Sequence, residues 1–205
     1  MNAPAALPRQ ARSAETRRKI LQAAITTFGR NGLSGAKMRA IAEEAGVTHT
    51  LLTYHFASKE RLWRECADAI YRRYAQRLEE RIQANSGLDG KTRLKTLLRA
   101  IVGSAAENPE IHRFMVRYAL EEADEPTAEA APVPAALTRE IQSLQAEGVL
   151  PKDADPLILQ SILSGAATQI FLGASRFEQR SGRDSHDPEV LKAYLDALIG
   201  CLVRE

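Results

Sequence analysis

The side chains of this sequence that could perform a specific chemical task are polar or basic and cluster between positions 37 and 59. Hydroxyl, imidazole, phenol and ammonium groups follow one another in the stretch 47–59, VTHTLLTYHFASK. Groups of this kind form hydrogen bonds with phosphates and with the edges of bases. The chemistry that they suggest is recognition of nucleic acid.

Patterns typical of catalysis or of metal binding are absent from the sequence. It contains no Gly-rich phosphate loop, no G-x-S-x-G, no H-E-x-x-H and no closely spaced Cys/His set. Cys66 and Cys201 are too far apart in sequence to suggest a metal site or a disulfide framework. The Glu121–Glu122 pair has no partner histidine nearby. We therefore expect a non-enzymatic protein without metal or cofactor, in the reducing cytoplasm.

A basic charge excess is confined to the first third of the 205-residue chain. Residues 1–64 contain 11 Lys or Arg against four Glu, a net charge of +7, whereas residues 65–205 have a net charge of −5. A basic module on an acidic body is typical of nucleic-acid binding, although a solvated surface can carry the same excess. Residues 1–13 lack the apolar run of a secretory signal. They are interpreted as a flexible basic arm.

Helical patterns extend along the whole chain, so we predict an all-α protein of about nine helices. Apolar residues at helical spacing predict a first helix over 14–30, capped by Ser13 and ended at Gly32. Two short helices follow over 37–45 and 48–56, and a long helix over 58–84.

Later helix starts are indicated by prolines that follow a capping residue. Asn108, Asp155 and Asp187 each precede a proline, which is tolerated in the first turn of a helix. Further helices are predicted over 91–106 and 134–147. Between two helices, the acidic, Ala- and Pro-rich stretch 122–134 is predicted to be a mobile loop or a lid.

The turn between the second and third helices has the composition of a helix-turn-helix. Ala42 is small enough for close helix contact, Gly46 tolerates a positive φ, and Val47 supplies an apolar plug. In the third helix, Leu52 and Phe56 share an inward face, while hydroxyls and Tyr54 lie outward. A helix with such an outer face suits the DNA major groove.

Residues 16–63 resemble the DNA-binding region of the TetR family of bacterial repressors. The resemblance rests on the Ile20/Ala23/Ala24/Phe28/Gly32 pattern, on Met38-Arg39-x-Ile41-Ala42, on Gly46-Val47 and on Tyr54-His55-Phe56-x-Ser58-Lys59-Glu60. It implies a helix-turn-helix domain over 14–57 and an effector-binding and dimerisation domain over 58–205.

The resemblance also implies DNA contacts, residue by residue. Arg39 is expected to read bases or to clamp a phosphate, and Leu51 to touch a thymine methyl. The chain departs from the family at Ala36, Thr50 and Thr53, where the family usually has Thr, Gly and Tyr. The resemblance therefore does not indicate which operator sequence this chain would bind. The expected DNA-contacting residues are Lys37, Arg39, Thr48, His49, Thr50, Leu51, Thr53, Tyr54, His55 and Lys59.

Polar and aromatic residues among the apolar ones of the larger domain are candidates for lining a ligand cavity. Tyrosine and methionine at helical spacing also occur in ordinary cores, and a lone histidine is more often structural. The candidates are Tyr71, Tyr74, His112, Met115, Tyr118, Gln169 and Phe171.

Residues 157–177 are predicted to form one helix that is apolar on nearly every side. Polar side chains interrupt the run, so two buried faces are favoured over a membrane span. One face is expected to pair with a symmetry mate, together with the last helix, in a four-helix dimer interface, although burial within a monomer is the alternative. The expected interface residues are Gly165, Gly173, Leu191, Tyr194, Leu195, Leu198 and Leu202.

Taken together, the patterns and the resemblance predict a homodimeric, ligand-responsive regulator, typically a repressor. It would bind a near-palindromic operator in double-stranded DNA and release it when a small effector binds. The long helix over 58–84 is the expected lever between the two activities. The alternatives are a DNA-binding regulator or architectural protein without an effector and, less favoured, a helical-bundle enzyme.

Overall fold

A computed structural model describes residues 9–121 and 132–202. All regular elements in these two ranges are helices, which confirms the all-α prediction. There are ten of them in the described part of the chain, close to the predicted nine. They are α1 Arg9–Gly35, α2 Met38–Glu44, α3 His49–His55, α4 Lys59–Asn85, α5 Gly90–Glu107, α6 Pro109–Glu121, α7 Pro132–Ala146, α8 Pro156–Leu172, α9 Ala174–Ser181 and α10 Pro188–Leu202.

The described residues form two compact units. The first unit contains residues 9–70 and 110–121, and the second contains residues 71–109 and 132–202. This structural division differs from the functional boundary predicted at residue 58, because the start of α4 and nearly all of α6 pack with the helix-turn-helix. As a boundary between activities, residue 58 stays a prediction.

An aromatic cluster forms the core of the first unit. The ring of Trp63 lies 5.0 Å from that of Phe28 and 4.6 Å from that of Phe114. Tyr118 packs on the same tryptophan, with ring centroids 5.5 Å apart. Phe28, Trp63 and Phe114 are fully buried. Large aromatic rings in contact contribute both apolar burial and favourable ring geometry, so α1, α4 and α6 are held together at this point.

The first helix begins earlier than predicted and is broken where its end was expected. It starts at Arg9, so Ser13 lies within the helix and the prediction of a Ser13 cap is wrong. Gly32 has φ 70° and ψ 179°, a backbone conformation open to glycine, and the chain then resumes a helical course to Gly35. The predicted arm over 1–13 lies partly outside the described residues.

Two of the three predicted proline-associated caps are present. Asp155 accepts a hydrogen bond from the backbone N–H of Leu157 at 2.7 Å, and Asp187 accepts one from that of Glu189 at 2.7 Å. Asn108 behaves differently, because its side-chain amide donates to the carbonyl oxygen of Ser104 at 3.3 Å. It therefore serves the end of α5 instead of the start of α6. Most of the predicted loop 122–134 lies outside the described residues.

Leucine-rich faces of α5, α7, α8 and α10 form the core of the second unit. Leu94, Leu98 and Ile141 are fully buried in this cluster. A buried ion pair crosses it, in which Arg93 on α5 donates to Glu140 on α7 at 2.9 Å. Arg93 also donates to Glu147 at 2.7 Å. These contacts satisfy a charge that would be costly to bury alone.

The segment predicted as one helix over 157–177 is two helices. It divides at Gly173, between α8 and α9, and the two helices are bent by 64°. This division accounts for the extra helix. Within the described residues no single helix is long and apolar enough to cross a membrane, and α8 and α9 reach that length and composition only as a bent pair.

Candidate nucleic-acid interface

A glycine turn joins α2 to α3 with the geometry that the sequence predicts. Gly46 has φ 66°, in the left-handed region. The backbone N–H of Val47 donates to the carbonyl of Ala42 at 3.0 Å, and that of Gly46 donates to Glu43 at 3.1 Å. This pair of hydrogen bonds is the Schellman arrangement that ends a helix. It reverses the chain so that α3 can begin two residues later.

The third helix is capped at its start and packed against the rest of the first unit. The Thr48 hydroxyl accepts a hydrogen bond from the backbone N–H of Leu51 at 3.2 Å and so caps the start of α3. Leu52 and Phe56 are fully buried beneath the helix. Arg17 stacks over the Phe56 ring, with its guanidinium carbon 4.7 Å from the centroid. These contacts orient the opposite face of α3 outward.

Most of the predicted contact residues lie on or beside α3, whereas Lys37 and Arg39 lie at the start of α2 and Lys59 at the start of α4. Tyr54 is 79% exposed and Leu51 is 39% exposed, unusual values for side chains of this size. His55 and Lys59 are half-buried. The remaining predicted contact residues are all exposed, and they are Lys37, Arg39, Thr48, His49, Thr50 and Thr53.

Besides Thr48, two other predicted contact residues have side chains that form hydrogen bonds within the protein. The Thr53 hydroxyl donates to the carbonyl of His49 at 2.9 Å, within its own helix. The Lys59 ammonium donates to the carbonyls of Ser34 at 3.4 Å and Ala36 at 3.3 Å. Lys59 therefore also holds the α1–α2 connection, a structural role that the sequence did not indicate.

Comparison with known families assigns this region. The family model for bacterial regulatory proteins of the tetR family matches residues 20–66, which contain the α2–α3 turn and the exposed helix face. Residues 20–66 therefore form a segment of the TetR-family type. The RaaS transcriptional regulatory protein of Mycobacterium tuberculosis is 50% identical over 52 residues, covering 25% of this chain and 24% of RaaS. The matches to curated TetR-like relatives span about a quarter to a half of those proteins.

Solved structures extend the similarity in fold over nearly the whole chain. SCO4942 from Streptomyces coelicolor superposes with a TM-score of 0.71 at 22% identity, covering 93% of this chain and 99% of that one. FadR from Bacillus subtilis, solved in complex with stearoyl-CoA, superposes with a TM-score of 0.61 at 17% identity, covering 89% and 97%. At this identity the likeness is one of fold. It agrees with the TetR-like order of helices.

The predicted ligand-lining residues are divided between the two units. In the first unit, Tyr118 is 4% exposed within the aromatic cluster, and burial lowers the pKa of His112 on the same helix. In the second unit, Tyr74 lines a cleft between α4 and α5, and Gln169 lines one beside α8, α9 and α10. The Phe171 ring lies 5.5 Å from that of His186.

Two other ligand candidates lie outside these contacts. Burial raises the pKa of the Tyr71 phenol on α4, and Met115 is half-buried on α6. As ligand contacts, all seven candidates stay predictions.

The second unit leaves a stripe of α8 exposed opposite its buried face. Leu159, Leu163, Ala167 and Ile170 are buried, as expected for one side of a helix. The exposed stripe repeats at spacings of four and three and was only partly predicted. It contains Ile158, Ile162, Gly165, Gln169 and Leu172.

The predicted interface residues of α10 are half-buried against the core of the same unit. The Tyr194 hydroxyl donates to the carbonyl of Ala166 on α8. The others in this group are Leu191, Leu195, Leu198 and Leu202. Sequence reasoning missed the more exposed residues of α8, Leu157 and Ile158, each 59% exposed, although their position opposite the buried leucines follows from helical spacing.

Possible metal ligands and the Cys66 thiol can be located in the described part of the chain. Among the residues at 9–121 and 132–202, no group of three or more His, Cys, Asp or Glu is placed to hold a metal ion. Burial raises the pKa of the Cys66 thiol well above its usual range. A protonated buried thiol is a poor nucleophile.

Proposed function

We propose that this protein is a ligand-responsive transcriptional regulator that binds a near-palindromic DNA operator as a homodimer, most simply as a repressor. The observation that carries the proposal is the outward face of α3. Leu52 and Phe56 are buried on its inner side, and the Tyr54 side chain on its outer side is 79% exposed. Such a helix enters the major groove with its outward side chains against base edges. A bacterial regulator of this kind acts in the cytoplasm, where the DNA lies.

The exposed residues divide into two roles. Arg39 and Tyr54 are assigned to base reading, because a guanidinium fork pairs with guanine and a phenol forms hydrogen bonds at a base edge. Lys37, Lys59 and His55 are assigned to phosphates, together with Thr48 at the start of α3. Thr53 is assigned a weaker contact, because its hydroxyl already donates a hydrogen bond to the backbone carbonyl of His49.

The exposed stripe of α8 supports the proposal of a dimer. Ile158, Ile162 and Leu172 lie on one side of the helix with Gly165 among them, a spacing suited to helix pairing. Burying this stripe against a second copy would remove large apolar side chains from water. A two-fold dimer presents two recognition helices, which must sit roughly 34–36 Å apart to enter successive major grooves.

Control by an effector would act on the separation of the two recognition helices. The helix α4 begins just after α3, at Lys59, and continues to Asn85 in the second unit. An effector that prefers one arrangement of the dimer changes DNA affinity by its difference in binding energy between the arrangements. FadR of Bacillus subtilis, similar in fold, was solved with stearoyl-CoA. That precedent supports the binding of a small-molecule ligand by a chain of this fold.

Selection of DNA by the full chain tests the proposal. Genomic fragments that bind the purified protein are sequenced, with an Arg39→Ala/Tyr54→Ala double variant as the control. We expect an inverted repeat to be enriched by the wild type alone. Affinity for that repeat should also fall steeply with salt, since neutralising several phosphates releases counterions. Enrichment of no sequence, or of the same sequences by the double variant, contradicts the proposal.

A further inference from the structure

An arginine-lined cleft lies between α4 and α5 in the second unit. On α4 its wall is made by Tyr74, Arg77 and Arg81, whose spacing places them on one helix face. On α5, Arg99 and Glu107 contribute to the wall. The lining therefore contains three arginines and one glutamate. Like charges around a cleft repel one another and attract anions.

Other arginines of this unit lie against carboxylates of their own chain. Arg93 pairs with Glu140 at 2.9 Å, and Arg139 pairs with Glu79 at 3.1 Å. Arg99 of the cleft also lies near the Asp196 carboxylate, but the three arginines of the cleft outnumber the one acid among its lining residues. A guanidinium fork matches a carboxylate in shape and charge, so an external anion would complete this site.

The cleft is small, and part of its wall is apolar. Leu78, Leu97 and Ile101 form the wall beneath the arginines, and all three are buried. The cavity has a volume of about 150 Å³. A cavity of that volume has room for a molecule such as benzene. It is too small for a long acyl chain attached to coenzyme A.

The phenol of Tyr74 adds a hydrogen-bonding group at the same place. Burial raises its pKa, while the positive charge of Arg81 acts in the opposite direction. The neutral phenol is a donor as well as an acceptor. Arg81 and Tyr74 thus lie near each other, one able to pair with an anion and the other to donate to it.

We propose that this cleft binds a small organic carboxylate whose apolar body is about the size of a benzene ring. Arg77, Arg81 and Arg99 hold the carboxylate, and Leu78, Leu97 and Ile101 receive the apolar body. The further step, that this acid is the effector, rests on the proposed function. Binding itself does not depend on DNA.

Two substitutions test the charge and the space separately. Arg81→Gln removes a cation while keeping a polar side chain of similar length. Gly103→Leu fills the cleft, because Gly103 lines it and a Cβ there would meet nothing within 4 Å. Arg73→Gln is the matched control, since Arg73 is exposed on α4 and is not part of the lining. Circular dichroism verifies that each variant keeps its helices.

The experiment is calorimetric titration of the full chain, without DNA, with benzoate, salicylate and hexanoate and with the neutral amides benzamide and hexanamide. We expect at least one acid to bind at least tenfold more tightly than the neutral amide of the same body. Benzamide is the comparison for benzoate and salicylate, and hexanamide is the comparison for hexanoate. Arg81→Gln should weaken that binding at least tenfold, Gly103→Leu should abolish it, and Arg73→Gln should leave it unchanged.

Three results would overturn the proposal: no acid binds at millimolar concentration, acids and amides bind equally, or the two cleft variants behave like Arg73→Gln. The outcome is separable from that of the proposed function. A chain that selects an inverted repeat but binds no acid remains a regulator without this site. A chain that binds an acid but selects no DNA keeps the site and loses the regulatory role.

Discussion

The Glu121 carboxylate on α6 accepts a hydrogen bond from the backbone N–H of Leu33, just past the break in α1, at 3.0 Å. One turn earlier on α6, Arg117 donates to the carbonyls of Gly29 and Arg30, at 3.0 and 3.1 Å. Helix ends leave such backbone groups without partners in the helix itself. α6 therefore caps both sides of the break that precedes the helix-turn-helix.

Replacing Arg117 with Met should destabilise the first unit. Two backbone carbonyls lose charged donors, and we expect a loss of about 1–2 kcal/mol in the free energy of unfolding, given their partial exposure. Trp63, the only tryptophan in the sequence, lies in the core of this unit, so its fluorescence during urea unfolding reports on it. Arg113→Met, an exposed change on the same helix, should cost little. Equal effects of the two substitutions would remove the capping role.

Gly32→Ala should also be destabilising, for reasons of backbone and space. At φ 70° and ψ 179° an L side chain is strained, which costs about 1–3 kcal/mol. The new Cβ would lie 2.7 Å from Oε1 of Glu121. Gly35→Ala is the control, because its Cβ would meet only the Asn31 side chain, at 3.4 Å. The urea concentration at the unfolding midpoint, followed by Trp63 fluorescence, should fall for Gly32→Ala and not for Gly35→Ala. A Gly32→Ala protein with the same midpoint as the wild type would contradict this account.

Two ion pairs of the second unit should differ strongly in energetic importance. Arg93→Met leaves Glu140 buried without its partner, a change that costs about 3–5 kcal/mol. Arg139→Met breaks the pair with Glu79, in which the arginine is 63% exposed, and should cost about 0–1 kcal/mol. Circular dichroism during denaturation measures both. Similar losses for the two variants would mean that burial of the Arg93 pair has little energetic effect.

The two roles assigned to the DNA-facing residues predict different binding patterns. Arg39→Ala and Tyr54→Ala should weaken binding to the selected site by about 1–3 kcal/mol each and alter sequence preference. Lys59→Ala should weaken binding to selected and random DNA alike, and it should also lower stability slightly, because the Lys59 ammonium contacts Ser34 and Ala36. Gel shifts on both DNAs measure this. Equal losses on both for all three variants would reverse the assignment.

Local sequence signals predicted the helix-turn-helix closely. The bounds of α2, α3 and α4 lie within one residue of those expected, because a glycine turn, a threonine cap and a short apolar face each act over a few residues. Gly46 takes the positive φ that the tight turn requires. The match to the TetR family model covers the same region, residues 20–66.

Features that depend on distant residues were not predicted. The association of α6 with the first unit rests on contacts such as Arg117 with Gly29, 88 residues apart in sequence. The bend at Gly173 was not predicted, because no proline lies there and the apolar run of residues continues across it. The arginine cleft needs α4 and α5 side by side before its charges can be seen to converge. Helical spacing alone gives no information on which helices become neighbours.

The central claim is that two copies of this chain, joined through α8, bind one DNA site. Sedimentation of the protein with the selected inverted repeat tests it directly, for the wild type, Gly165→Glu and the control Gly87→Glu. A Cβ at Gly165 or Gly87 would meet nothing within 4 Å, so both variants should fold. We predict two chains per DNA site for the wild type and for Gly87→Glu. Gly165→Glu should be a folded monomer that no longer binds the repeat tightly, because dimerisation would bury an unpaired charge. A Gly165→Glu protein that remains dimeric would contradict the α8 interface, and a folded monomer that binds the full repeat as tightly as the wild type would contradict the symmetric mechanism.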